Sequence, residues 1–239
     1  MVLIRCCKFL YLSGTTSSSM PFLRCLLLVF LLIPVLLFGQ RGDDRIMVDT
    51  TARDVHSFRI NGSIYTGVLK QDSFYLYDGR GRILLRLPSE YLFSFEFKDY
   101  NGDGYRDLVF EVSSNVPEMM DVYLYSPSRR GFRELKDARK FPAPIHIKGT
   151  PYYYSYHKGG CADMVWASDL FYIHNSAAVA LGNIQGEECK TEEGVYIYKI
   201  RAGKKRLVKK LPIKTIYTYK GGKWGFIDAY WKKYYKQFC

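Results

Sequence analysis

Asp99, Asn101, Asp103 and Asp107 recur at the spacing of calcium ligands within residues 93–112, FSFEFKDYNGDGYRDLVFEV. A hard divalent cation takes oxygen donors, and a D-x-N-x-D-G-x-x-D loop offers them from positions one, three, five and nine. The carbonyl of Tyr105, at position seven, completes the set. Wrapping one ion requires a sharp backbone turn, which Gly104 permits. The pattern therefore points to Ca²⁺ as the cofactor. A bare hairpin turn is the competing reading, because N-G and D-G are hairpin signals. Four acid or amide side chains at this spacing favour the metal.

The flanking elements decide what kind of loop this is. A helical EF-hand needs a Glu at position twelve, and Phe110 stands there. Phe93, Phe95 and Phe97 alternate with Ser94, Glu96 and Lys98, and LVFEV follows the loop, so it joins two strands. Further strands are predicted at 55–60, 64–70, 73–78, 82–87, 121–127, 151–157, 169–175, 178–184, 193–200 and 215–220. Turn chemistry at Asn61-Gly62, Asp78-Gly79-Arg80-Gly81 and Pro88-Ser89 separates the early ones. Residues 128–150 are basic and Pro-containing and predict a connection with little regular structure. Phe226, Tyr230, Tyr234 and Phe238 lie four apart with Ile227 and Trp231 beside them, which is helical spacing. The expected fold class is all-β: an antiparallel β-sandwich or propeller-like sheet with a short C-terminal amphipathic helix.

Residues 1–39 hold Arg5, Lys8 and Arg24 and no acids, and 25–39 form an uncharged apolar run broken by Pro34. That run is shorter than the roughly twenty residues that span a bilayer, so residues 1–39 read as a signal peptide, with Met20 as an alternative start. Membrane attachment would come only through this leader if it stays uncleaved. Residues 40–54 then form an exposed N-terminal segment, and 55–239 a single domain. The expected location is periplasmic or secreted. Cys161, Cys189 and Cys239 remain outside the leader, and export favours a Cys161–Cys189 disulfide, with pairings to Cys239 left open.

The chain carries 35 basic and 23 acidic residues, a net +12. Charge is unevenly placed: residues 198–239 hold thirteen Lys or Arg against Asp228 alone. Such a tail is either a solvated face or a surface for an acidic partner; nucleic acid is excluded as a partner by export. Motifs for zincin, serine-hydrolase or P-loop chemistry are absent from the sequence. His157, Cys161 and Asp163 stand close together, but a cysteine in a disulfide is neither nucleophile nor zinc ligand. Glu96 and Glu111 flank the calcium loop and read as strand-face acids in preference to a glycosidase pair. No catalytic residues are assigned. Tyr152, Tyr154 and Tyr156 share one strand face, and together with His157 and Trp166 they offer a ligand surface beside the disulfide loop; packing is the alternative reading.

The segment from Phe95 to Phe110, followed by the strand at 121–125 and Gly131-Phe132, resembles two families. One is the FG-GAP/VCBS calcium repeat of integrin-like propellers. The other is the exported, calcium-binding, periplasmic lysozyme-inhibitor-like family, whose members include immunity proteins against peptidoglycan-cleaving effectors. A single copy of the loop favours the compact second family over a multi-blade propeller. The resemblance implies a non-enzymatic scaffold with Ca²⁺ at Asp99, Asn101, Asp103, Tyr105 and Asp107. It also implies a protein partner in the cell envelope, a peptidoglycan hydrolase in the first instance. Two other classes stay open: a carbohydrate or envelope-polymer binding module, and a hydrolase with unrecognised carboxylates.

Overall fold

The computed structural model describes residues 51–239; the leader and most of the 40–54 segment lie outside them. Strands β1 (Ala52–Ile60), β2 (Ser63–Lys70), β3 (Ser73–Asp78) and β4 (Ile83–Pro88) form one antiparallel meander. A second follows from β5 (Leu92–Lys98), β6 (Asp107–Val112), β7 (Met120–Ser126) and β8 (Gly131–Glu134). Short turns dictate this order. Between β1 and β2, Asn61 and Gly62 both take positive φ, 47° and 80°, the left-handed pair that a two-residue hairpin needs.

The third sheet is built from β9 (Ile145–His146), β10 (Tyr152–Tyr154), β11 (His157–Lys158), β12 (Val165–His174), β13 (Ala177–Glu187), β14 (Gly194–Arg201) and β15 (Lys204–Leu211). Its spatial order is β15-β14-β13-β12-β10-β9, with β11 also paired to β12. A helix at Lys223–Tyr234 closes the chain and continues as a 3₁₀ turn, Tyr235–Gln237.

Three apolar layers bind these elements together. Leu69, Phe74 and Leu76 of the first sheet pack on Phe95, Leu108 and Phe110 of the second. Opposite that layer, Val109, Val122 and Leu124 meet Tyr153, Phe171 and Ala178 of the third sheet. Strand β6 is thus covered on both faces over Leu108, Val109 and Phe110, which explains three apolar residues in succession; Glu111 beyond them is exposed. The far side of the third sheet carries Ile184, Val195 and Ile197 against Phe226, Ile227 and Trp231 of the helix. Each such fully buried side chain contributes about 1.5–3 kcal/mol. Trp231 also donates Nε1–H to Ser168 Oγ at 2.8 Å, so the ring is packed and hydrogen-bonded at once.

The all-β class with a closing helix therefore holds, and the sheets are open and stacked as in a sandwich. Three details differ from expectation. The stretch 215–220, read as a strand, lies mostly in a 3₁₀ helix, Ile213–Thr218, in which Ile216 turns into the core while Tyr217 faces out. Residues 128–150 contain β8, a 3₁₀ turn Ala138–Lys140 and β9. Strand β15 was not anticipated, because KKRLVKKL carries no alternating apolar face and all but its last residue are exposed.

Candidate calcium loop and aromatic platform

The loop from Asp99 to Asp107 turns between β5 and β6, as the strand pattern requires. Gly102 and Gly104 hold φ of 76° and 86°, so both need the left-handed freedom of glycine. Asp99 sits at the centre. Its Oδ1 accepts the amides of Gly102 (2.8 Å) and Asp103 (3.1 Å), and its Oδ2 accepts that of Gly104 (2.9 Å). Asn101 Oδ1 accepts the Asp103 amide, Asp103 Oδ1 accepts the Tyr105 amide, and Asn101 Nδ2 donates to Asp103 Oδ2.

Asp107 differs from the others because it is fully buried. Its oxygens accept the amides of Tyr125 at 2.8 Å and Tyr100 at 2.9 Å. Burial pushes its carboxyl up to about 6; the two amides oppose the rise and the charge of Asp103 adds to it. From the third sheet, Tyr153 donates its hydroxyl to the Asn101 carbonyl at 3.0 Å and so clamps the loop. Burial, followed by the charges of Asp99, Asp107 and Asp103, raises the Tyr153 phenol to about 12. Among the described residues, no three His, Cys, Asp or Glu side chains converge as a metal-binding group. The groups of the loop that could face a cation are oxygens throughout.

Cys161 and Cys189 form a disulfide with Cα atoms 6.5 Å apart, and Cys239 is free and exposed. The thiol and zinc readings of Cys161 are thereby removed. Glu96 is bonded to Lys98, and Glu111 accepts the Ser94 hydroxyl at 3.2 Å. His157 Nε2 lies 3.0 Å from Asp169 Oδ2.

The ligand surface expected at residues 152–166 is corrected by burial. Trp166 is 2% and Tyr154 4% exposed, and both belong to the core beneath the C-terminal helix. Tyr152 and Tyr156 pack half-buried against the same layer, and His157 is half-buried as well. The cause is the helix, whose aromatic stripe takes up the strand face that was expected to stay open.

An aromatic surface exists a few residues away. Trp224, at the start of the helix, is 53% exposed and lies 3.9 Å, centroid to centroid, from Tyr156. Lys223 stands 5.5 Å above both rings and donates to Asp163 Oδ2 at 2.6 Å. Asp163 Oδ1 in turn accepts the Tyr156 hydroxyl at 2.7 Å. Asp163 follows Cys161 by two residues, so the disulfide loop braces the platform. Tyr217, bonded to Glu188, and Tyr219 are exposed as well. Periodicity does not mark Trp224 as exposed, since it stands three residues before Ile227 and seven before Trp231, at the spacing of the buried face; it is open because it lies in the first turn of the helix.

Fold and disulfide define an all-β domain of stacked antiparallel sheets stapled by one covalent cross-link. No protein-family model and no curated protein matches the chain. Among solved structures, one described as a Xanthomonas Type IV Secretion System related protein matches at 15% identity with a TM-score of 0.45. That match covers 65% of this chain and 93% of the other.

Proposed function

We propose that the protein is an exported, non-enzymatic binding module in which Ca²⁺ fixes the loop between β5 and β6 and the Trp224 platform engages a protein partner in the cell envelope. The observation that carries partner binding is Trp224, more than half exposed yet held in place by Tyr156 and the Lys223–Asp163 brace. An exposed, pre-ordered Trp flanked by Tyr and a cation has the composition of an interface hot spot. Rigidity lowers the entropic cost of docking.

Calcium would be held by Asp99, Asn101, Asp103, the Tyr105 carbonyl and Asp107. Support comes from Asp107: among the described residues no Lys, Arg or His pairs with this buried carboxylate, and a buried charge is costly unless paired or metal-bound. The ion would supply charge neutralisation and loop order, and no reaction. A disulfide suits an oxidising compartment. Among the described residues no helix is long and apolar enough to cross a membrane.

The lysozyme-inhibitor-like resemblance makes a peptidoglycan hydrolase the partner class to test first. Purified protein and its Trp224→Ala variant, immobilised in calcium buffer, are offered envelope extract and then the purified hydrolase that is retained. A hydrolase bound by wild type and released by the variant supports the reading. Equal retention by both, or retention of polysaccharide in place of protein, would overturn it.

A further inference from the structure

Strands β14 and β15 meet at a two-residue turn in which Ala202 and Gly203 take φ of 46° and 74°, the left-handed pair of a tight hairpin. This hairpin ends the third sheet. Strand β15 is outermost, and every residue of it but Leu211 is exposed. From Lys199 to Arg206 the hairpin reads KIRAGKKR, five cations and no acid.

Strand register gathers four of the five on one face. Arg201 pairs with Lys204, and Lys199 with Arg206. By alternation all four share the face of Val195 and Ile197, which the C-terminal helix covers further along β14. They form a square roughly 5 Å across the strands and 7 Å along them. Like charges directly opposed destabilise a ladder. Main-chain oxygens give the square its only answer: Lys199 donates to the Gln237 oxygen at 2.5 Å and Arg201 to the Cys239 oxygen at 2.6 Å. Among the described residues no Asp or Glu side chain pairs with any of the four. Counting a carboxylate at Cys239 still leaves three of the four charges unmatched. Lys205 is held by Asn183 on the opposite face and Lys210 by Glu192 at the far end of β15, so the excess belongs to the square alone.

Apolar groups lie beside this charge. Leu207 and Val208 are 49% and 43% exposed, between Arg206 and Lys209. Val208 is the residue left without a partner where the register shifts, a bulge at the open edge. Cations by themselves guard a sheet edge against other strands. An exposed Leu-Val pair is no part of such a guard. It has a use at a lipid–water boundary, where aliphatic groups enter the headgroup layer and long cationic side chains reach its phosphates.

We infer that the β14–β15 hairpin docks on an anionic lipid surface, with Lys199, Arg201, Lys204 and Arg206 against the headgroup phosphates and Leu207 and Val208 entering the layer. Headgroup phosphates relieve the repulsion that the fold leaves in place. Exposure along the whole of β15 suits an extended surface better than a small anion, which needs a recess. A second copy of the hairpin would be repelled by the same charges. Docking in this way uses residues other than those of the leader, the calcium loop and the Trp224 platform, and stands independently of all three.

The test is co-sedimentation at low ionic strength with vesicles of equal parts phosphatidylglycerol and phosphatidylcholine, against vesicles of phosphatidylcholine alone. Any contribution of residues 1–39 is common to all variants and cancels. Partition onto the anionic vesicles is expected to exceed that onto neutral ones by at least about tenfold and to fall with salt. Each cation near such a surface is worth about fivefold, so Lys204→Gln/Arg206→Gln is expected to weaken partition about 25-fold. Because it relieves both opposed pairs, the same variant should melt at or above the wild-type temperature. Leu207→Ser/Val208→Ser is expected to weaken partition about tenfold while leaving binding to inorganic polyphosphate unchanged. Equal partition onto both vesicle types would overturn the inference, as would a serine variant that partitions like wild type. Polyphosphate or polyglutamate bound in solution with the anionic vesicles left unbound would overturn it too and assign the hairpin to a soluble polyanion.

Discussion

Tyr154 donates its hydroxyl to Asp228 Oδ1 at 2.6 Å and so fastens β10 to the C-terminal helix. Burial works to raise the Asp228 carboxyl, but Lys232 and Tyr154 outweigh it and hold the group below the usual carboxylate range. Tyr154→Phe is expected to cost about 1 kcal/mol, at the low end for a bond to a charged group because Asp228 is 41% exposed. The pH sign follows from the depressed folded value. The contribution is fully present above the unfolded value of about 4 and is lost as pH falls through the folded one. Urea midpoints of wild type and variant should therefore converge in acid. A gap as wide in strong acid as at pH 7 would show that the bond does not depend on ionised Asp228.

Calcium is testable apart from any partner. With the ion tenfold above its dissociation constant, the expected gain is about 1.4 kcal/mol, or roughly 3–5 °C in melting temperature. Asp103→Ala removes an oxygen ligand of the loop along with its bonds to the Tyr105 amide and Asn101, so it should lower the melting temperature more in calcium than in chelator. Equal losses in calcium and in chelator would remove the metal from the account.

The early strands were legible because their turns are written in Asn-Gly, Asp-Gly and Pro-Ser steps, and because β5 alternates apolar with polar residues. The helix was legible from its four-residue aromatic spacing. Strand β15 was not, since its order comes from pairing with β14 and not from any buried face of its own. Trp166 was expected at the surface because nothing local says that a distant helix covers it.

Gly186 marks a close approach that a strand pattern alone does not reveal. A Cβ there would stand 2.0 Å from Trp166 Cε2 and 2.3 Å from its Nε1, in a core with no room to yield. Gly186→Ala is expected to destabilise by about 2–4 kcal/mol, measured by urea denaturation. Gly160→Ala, where nothing lies within 4 Å of the added atom, should change stability by less than about 0.5 kcal/mol. Similar midpoints for the two variants would contradict the packing described for Trp166.

The disulfide and the Lys223–Asp163 pair act on one strained turn. Cys161, Ala162 and Asp163 take successive positive φ values of 53°, 49° and 72°, each costing about 1–2 kcal/mol for a non-glycine residue. The turn is pinned at one end by Cys189 and at the other by Lys223 and Tyr156. Removing the cross-link in Cys161→Ser/Cys189→Ser should cost about 3–4 kcal/mol for a loop of this length. With the turn released, Asp163 no longer meets Lys223, so Lys223→Gln should cost about 1 kcal/mol in the intact protein and close to nothing in the serine background. A double-mutant cycle by urea denaturation reads the difference directly. Strict additivity would mean that the staple and the ion pair are independent, and that the Trp224 platform owes its placement to the helix alone.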